Sequence, residues 1–187
     1  MSTIPADAES GRTGLNPSLL GKGLAAFRVF AGLVLLLNGL AKLFSFTTIS
    51  LGPYEGTLID REGARSILEL EVNERGGGTD LPLLPSIVND FILPNFGWLQ
   101  WVLTAVELGA GTLLVIGLAT RGAALLGLGQ QLFIAAVYFS SARFLFEQPH
   151  EYVPLAILAV VPAGLVWGLD GRLSKRWARG REGRWPF

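Results

Sequence analysis

The chain has no cysteine and a single histidine, and only 16% of its residues are charged. Lack of cysteine excludes disulfides, thiolate metal sites, iron-sulfur clusters, CxxC redox pairs and cysteine-linked lipids. One histidine, His150, leaves no bis-histidine haem within the chain, and no metal site is expected. Lys plus Arg and Asp plus Glu are 15 each, so no excess of positive charge points to nucleic acid. No signal peptide is expected either. The first apolar run begins only after the polar stretch Met1 to Gly23, contains Arg28 and Lys42, and ends without a small-residue cleavage pattern, so it is expected to remain as an anchor.

Apolar sequence is what the chain does have. Half of its residues are hydrophobic and its mean hydropathy is +0.46, the composition of a membrane protein. Runs of about the length that crosses a bilayer as a helix are expected at 24–46, 98–118, 123–142 and 151–169. The expectation is therefore an all-α membrane protein, a four-transmembrane-helix bundle. Residues 1–23 read as a flexible cytoplasmic terminus and 170–187 as a basic cytoplasmic tail on anionic lipid. Four spans put both termini on one side. Arg12, Lys22, the Arg121 turn and the tail make that side the cytoplasm, by the positive-inside rule.

The segment 47–97 is too polar to span and too long for a simple connection. Leu68 to Asn73 alternates apolar and polar, and Thr57-Leu58-Ile59 before an Arg61-Glu62-Gly63 turn can pair with it, which predicts a small extracytoplasmic β-hairpin. A short amphipathic helix over Ala64 to Glu74 is the competing reading. The apolar approach Leu83 to Phe96 is expected to lie along the membrane surface.

Glu107 sits at the centre of the second run, WLQWVLTAVELGAGTLLVIGL, between Trp98 and Leu118. A carboxylate there costs roughly 2.5–3.5 kcal/mol on insertion scales, so it must be compensated, protonated or used. Helical rise puts Asn38, Gln130 and Gln131 near its depth, with Lys42 one level outward and Arg28 one level inward. At the outer end Arg143, Gln148, His150 and Glu151 form a polar mouth. In the functional reading, Glu107 and Lys42 are the catalytic candidates. Asn38, Gln130, Gln131, Arg28 and His150 are candidate contacts of a quinone headgroup, the diffusible carrier that a chain without its own redox centre would use. In the plainer reading the same groups only hydrogen-bond helix to helix, and His150 is a solvated loop residue. If Glu107 is paired with a basic group it is structural; only an unpaired carboxyl facing a cavity supports proton-coupled quinone chemistry.

Three stretches carry a family resemblance: FRVFAGLVLLLNGLAKLF in the first run, VELGAGTLLVIGLATRGAALLGLG across the second and third, and WGLDGRL closing the fourth. In their order and spacing they resemble the DoxX/DoxD family of small four-helix membrane proteins, which includes the small subunit of thiosulfate:quinone oxidoreductase. Arg28, Lys42 and Glu107 are the charged positions that match. The resemblance implies a subunit of a prokaryotic plasma (inner) membrane complex in sulfur or redox chemistry, in contact with lipid and another protein chain. The function expected is thus a quinone-linked redox subunit. The alternative is a non-catalytic accessory or scaffold subunit docking on a larger complex through 47–97, a segment longer than the family pattern needs.

Overall fold

A computed structural model describes residues 16–74, 79–139, 141 and 149–177. The chain is mostly helical with one two-stranded sheet. Helix α1 spans Pro17–Phe44, α4 Phe96–Ile116, α5 Thr120–Val137 and α6 Pro149–Val160. Of these, α1 and α4 are long and apolar enough to cross a membrane. Of their most apolar windows, 39% and 28% are buried within the chain.

Helix α1 starts earlier than hydropathy suggested. Asn16 caps it by accepting from the Ser18 amide at 3.0 Å, and Pro17 at the first turn has no amide to leave orphaned. Residues 17–23, expected to be flexible, are therefore its first two turns.

The buried residues of α1 are Ala25, Arg28, Ala31, Gly32, Leu35, Gly39, Ala41 and Lys42, and all but Ala41 fall on one helix face, a stripe of mainly small side chains. This stripe packs on α4 in antiparallel register. A Cβ on Gly32 would stand 2.8 Å from the Leu114 Cβ, one on Gly39 2.8 Å from the Leu108 amide nitrogen, and one on Gly111 2.5 Å from the Leu36 amide nitrogen. Backbone meets backbone at these points, which is how helices gain dispersion contacts where no hydrophobic effect drives them together. Leu35 fills the space that Gly127 leaves on α5 and touches the core around Leu114, Leu155 and Leu158.

The insertion contains a hairpin, with strands other than those expected. Strands β1 (Thr48–Leu51) and β2 (Tyr54–Thr57) pair antiparallel, Thr48 opposite Thr57 and Leu51 opposite Tyr54. Gly52, at φ 63°, opens their two-residue turn, the position where a hairpin turn of this type needs glycine. Leu68 to Asn73, expected as a strand, and the expected Arg61-Glu62-Gly63 turn are helical, which fits the competing helix reading of Ala64 to Glu74: α2 (Arg61–Glu69) runs on into a wide π-type turn, Leu70–Glu74. The alternation in Leu68 to Asn73 lost to a helix start. Asp60 accepts from the Gly63 amide at 2.8 Å and caps α2. Helix α3 (Leu84–Ser86) and a second π-type turn, Ile87–Ile92, lead into α4. Val72, Leu84 and Val88 bury against Val137 of α5, so the insertion has a small core of its own on the end of the bundle.

The fourth apolar run is not one helix. α6 stops at Val160, about 18 Å long by helical rise. Pro162 breaks it, a 3-10 turn follows at Ala163–Leu165, and α7 (Leu169–Trp177) starts after Trp167, itself at φ 52°. The first part of the basic tail is thus helix; residues 178–187 lie outside the described part.

Candidate functional site

Packing through Gly39 sets the level of α1 against α4. Lys42, three residues on and on the same face, comes beside Glu107, which neighbours the Leu108 that Gly39 touches. The Lys42 Nζ stands 2.9 Å from the Glu107 Oε2, and the two side chains are 5% and 2% exposed. From α5, the Gln130 Nε2 donates to the Glu107 Oε1 at 2.7 Å. Glu151, in the first turn of α6, lies within electrostatic reach of both Lys42 and Glu107. Lys42, Glu107 and Gln130 thus meet from three helices, with Glu151 of α6 in electrostatic reach.

The sequence expectations divide here. Lys42, Glu107 and Gln130 meet. Gln131 falls on the buried stripe of α5, with its Oε1 buried and without a partner among the described residues. Asn38 does not reach the group; its amide donates to the Val34 carbonyl of its own helix at 3.0 Å. His150 is 70% exposed and stands 3.8 Å from Glu151, at the edge of the cluster. Arg143 and Gln148 lie outside the described residues.

Arg28 belongs to the opposite end. Fully buried, its guanidinium donates to the carbonyls of Ala163 at 2.9 Å, Val166 at 3.4 Å and Trp167 at 3.2 Å. Those carbonyls were released when Pro162 broke the fourth run, so Arg28 satisfies backbone and is not a counter-charge for Glu107. Arg121 does the same for the Ala159 carbonyl at 3.2 Å.

Asp170, read only as the end of the fourth run, is part of this knot. Its carboxylate accepts from the amides of Ala119 at 2.6 Å and Thr120 at 3.0 Å, and from the Thr120 hydroxyl at 2.8 Å. It caps α5 from fifty residues away, in place of a local cap that Ala119, at φ 47°, has no side chain to provide. The ATRG and WGLDG stretches each carried half of this contact, and neither half signals a cap by itself.

A cavity of about 510 Å³ opens beside the Lys42 group. Its walls are apolar residues of the insertion, α4 and α5, such as Leu68, Leu103, Val106 and Phe133, and Lys42 and Gln130 face it. The Gln130 Oε1 is buried and has no partner among the described residues, since the amide nitrogen is what serves Glu107. The site therefore offers an ammonium donor and an amide acceptor beside an apolar chamber large enough for a drug-sized molecule. Glu107 holds both groups in place. Comparison with known proteins adds no relative: no family model, no curated protein and no solved structure matches the chain.

Proposed function

We propose that the chain is a four-span membrane protein that binds the headgroup of a quinone in the cavity beside Lys42 and Gln130, as a subunit of a quinone-linked redox system of the plasma membrane. The observation that carries this reading is that Lys42 and Gln130, both held by Glu107, stand in the wall of an otherwise apolar cavity. A quinone carbonyl accepts from an ammonium, and a quinol hydroxyl donates to an amide oxygen, so one site serves both redox forms. The quinone supplies the electron-carrying chemistry when bound. Lys42 and Gln130 bind and orient its head, and the apolar walls exclude water.

The membrane part of the reading is supported by an inverted distribution of polarity. Arg28, Lys42, Glu107, Gln131 and Asp170 are buried, while Phe30, Leu33, Leu37, Leu126, Leu132 and Val160 are exposed. A bilayer solvates the second set and has no partners for the first. Leu83, Ile87 and Phe91, four residues apart and all exposed, suit a segment lying in the membrane interface, with Trp98 and Trp101 as anchors. Both termini and the Arg28 knot then lie on the cytoplasmic side, and the insertion outside.

Because Glu107 is paired with Lys42, it is structural by the criterion set out from the sequence: proton-coupled chemistry at its carboxyl drops out of the reading, which keeps quinone binding with Glu107 as a positioning residue for Lys42 and Gln130. The thiosulfate chemistry that the DoxX/DoxD likeness implies has less support, since the anion would need a free cation and Lys42 is bound to Glu107. A second reading, an accessory subunit docking through 47–97, is favoured by the hairpin: every residue of β2 is exposed, Tyr54 by 77%. The test is to purify the protein in lipid nanodiscs, extract it with organic solvent and identify bound quinone by mass spectrometry, for the native chain and for Lys42→Met and Gln130→Leu. Quinone retained by the native chain and depleted in both variants supports the proposal. Phospholipid alone, or equal quinone in all three, overturns it.

A further inference from the structure

Some residues that line the cavity are also open to the exterior. Val102 of α4 is 48% exposed, Leu125 and Leu126 of α5 are 46% and 51% exposed, and Gly129 is exposed as well. A residue on both surfaces marks a rim, so a slot leads into the cavity between α4 and α5. At Gly129 the slot is open: a Cβ there would meet no heavy atom within 4 Å. Gly127, two positions earlier, faces inward and would meet Leu35 at 2.9 Å. The rim carries no polar side chain, and it lies on the helix faces that the bilayer covers in the reading above.

The insertion side is more covered, with Ile59, 37% exposed, at its edge. Ala64, Ile67 and Leu68 of α2 line the cavity from the insertion side. Arg61 fixes the start of that helix twice, with its guanidinium 4.3 Å from the Trp101 ring centroid and hydrogen-bonded to the Ser45 hydroxyl at 2.9 Å.

We infer that the cavity is loaded sideways, from within the bilayer, through the slot at Gly129, and that its ligand carries an apolar chain which lies in the slot while the head reaches Lys42 and Gln130. The inference rests on the reading of the cavity as a quinone site and adds to it the class of quinone, long-chained and membrane-dissolved, and its path. A chainless head does not need the slot as a seat; a chain-bearing one does.

Two blocking variants test this, Gly129→Phe on one wall and Val102→Phe on the other. Gly109→Phe is the control: Gly109 is an exposed helical glycine that also has open space around it but does not line the cavity. In nanodiscs, equilibrium binding is followed by tryptophan quenching for a quinone with a polyisoprenoid chain and for the same head without a chain. Helical circular dichroism confirms that each variant is folded. Both blocking variants are expected to weaken the chain-bearing quinone by about tenfold or more and the chainless head by less than about threefold, with Gly109→Phe unchanged. Unchanged binding of the chain-bearing quinone in both variants overturns the slot and leaves the site. Equal loss of both probes also overturns it, because the aromatic ring is then filling the binding space. If the native chain binds neither probe, the quinone reading itself fails.

Discussion

Separating Lys42 from Glu107 is the perturbation that tests the site's construction most directly. At 2.9 Å and an effective dielectric constant of 20, the gross attraction of the pair is about 6 kcal/mol. Much of it offsets the desolvation of two nearly inaccessible groups, so the net value of the pair against apolar replacements is small. Breaking it one-sidedly is different. Lys42→Met leaves a buried carboxylate with only the Gln130 amide, and Glu107→Leu leaves a buried ammonium and an idle Gln130, so each is expected to cost about 3–5 kcal/mol. The double variant Lys42→Met/Glu107→Leu removes both charges and is expected within about 2 kcal/mol of the native chain. The resulting coupling, several kcal/mol, is far above the ~0.6 kcal/mol of an average interhelical polar contact. Unfolding in mixed micelles with increasing dodecyl sulfate, followed by circular dichroism on all four proteins of the cycle, measures it. A coupling of about 0.6 kcal/mol or less would refute the account of Glu107 as the group that holds Lys42.

Two further outcomes follow from the packing. Gly111→Ala puts a methyl 2.5 Å from the Leu36 amide nitrogen, where only backbone could give way, and is expected to destabilise by about 1–3 kcal/mol, whereas Gly129→Ala, in open space, is expected to stabilise by about 0.5–1 kcal/mol; the same unfolding titration compares them. Asp170→Ala removes the acceptor for the Ala119 and Thr120 amides and is expected to cost about 1–2 kcal/mol, with hydrogen exchange accelerated at residues 119–122 and unchanged around Glu107.

How much of the site was legible depended on what each inference needed. The helical rise places residues by depth, and depth alone brought Lys42, Gln130 and Glu107 into one neighbourhood. Rotation about each helix axis is not fixed by depth. It separates Gln130, which reaches Glu107, from Gln131, which turns into the buried stripe of α5, and it leaves Asn38 bonded to its own helix. Arg28 failed as a neighbour for a longer-range reason: its acceptors exist only because Pro162 interrupts the fourth apolar run more than a hundred residues later. Alternation in Leu68 to Asn73 points to a strand there, but two local signals, the Gly52-Pro53 turn and the Asp60 cap, set the hairpin earlier and start a helix in its place.

By itself, the sequence determined that this chain is built largely from apolar helices, two of them long and apolar enough to cross a membrane, and that a carboxylate buried in one of them needs a partner. Which partner it takes was decided by tertiary structure. Gly32, Gly39 and Gly111 let two backbones touch in a single register, and that register sets Lys42 against Glu107. The cavity came the same way, from the angle at which α4, α5 and the insertion leave space between them. A void is a property of several surfaces at once, and no stretch of one chain encodes it alone.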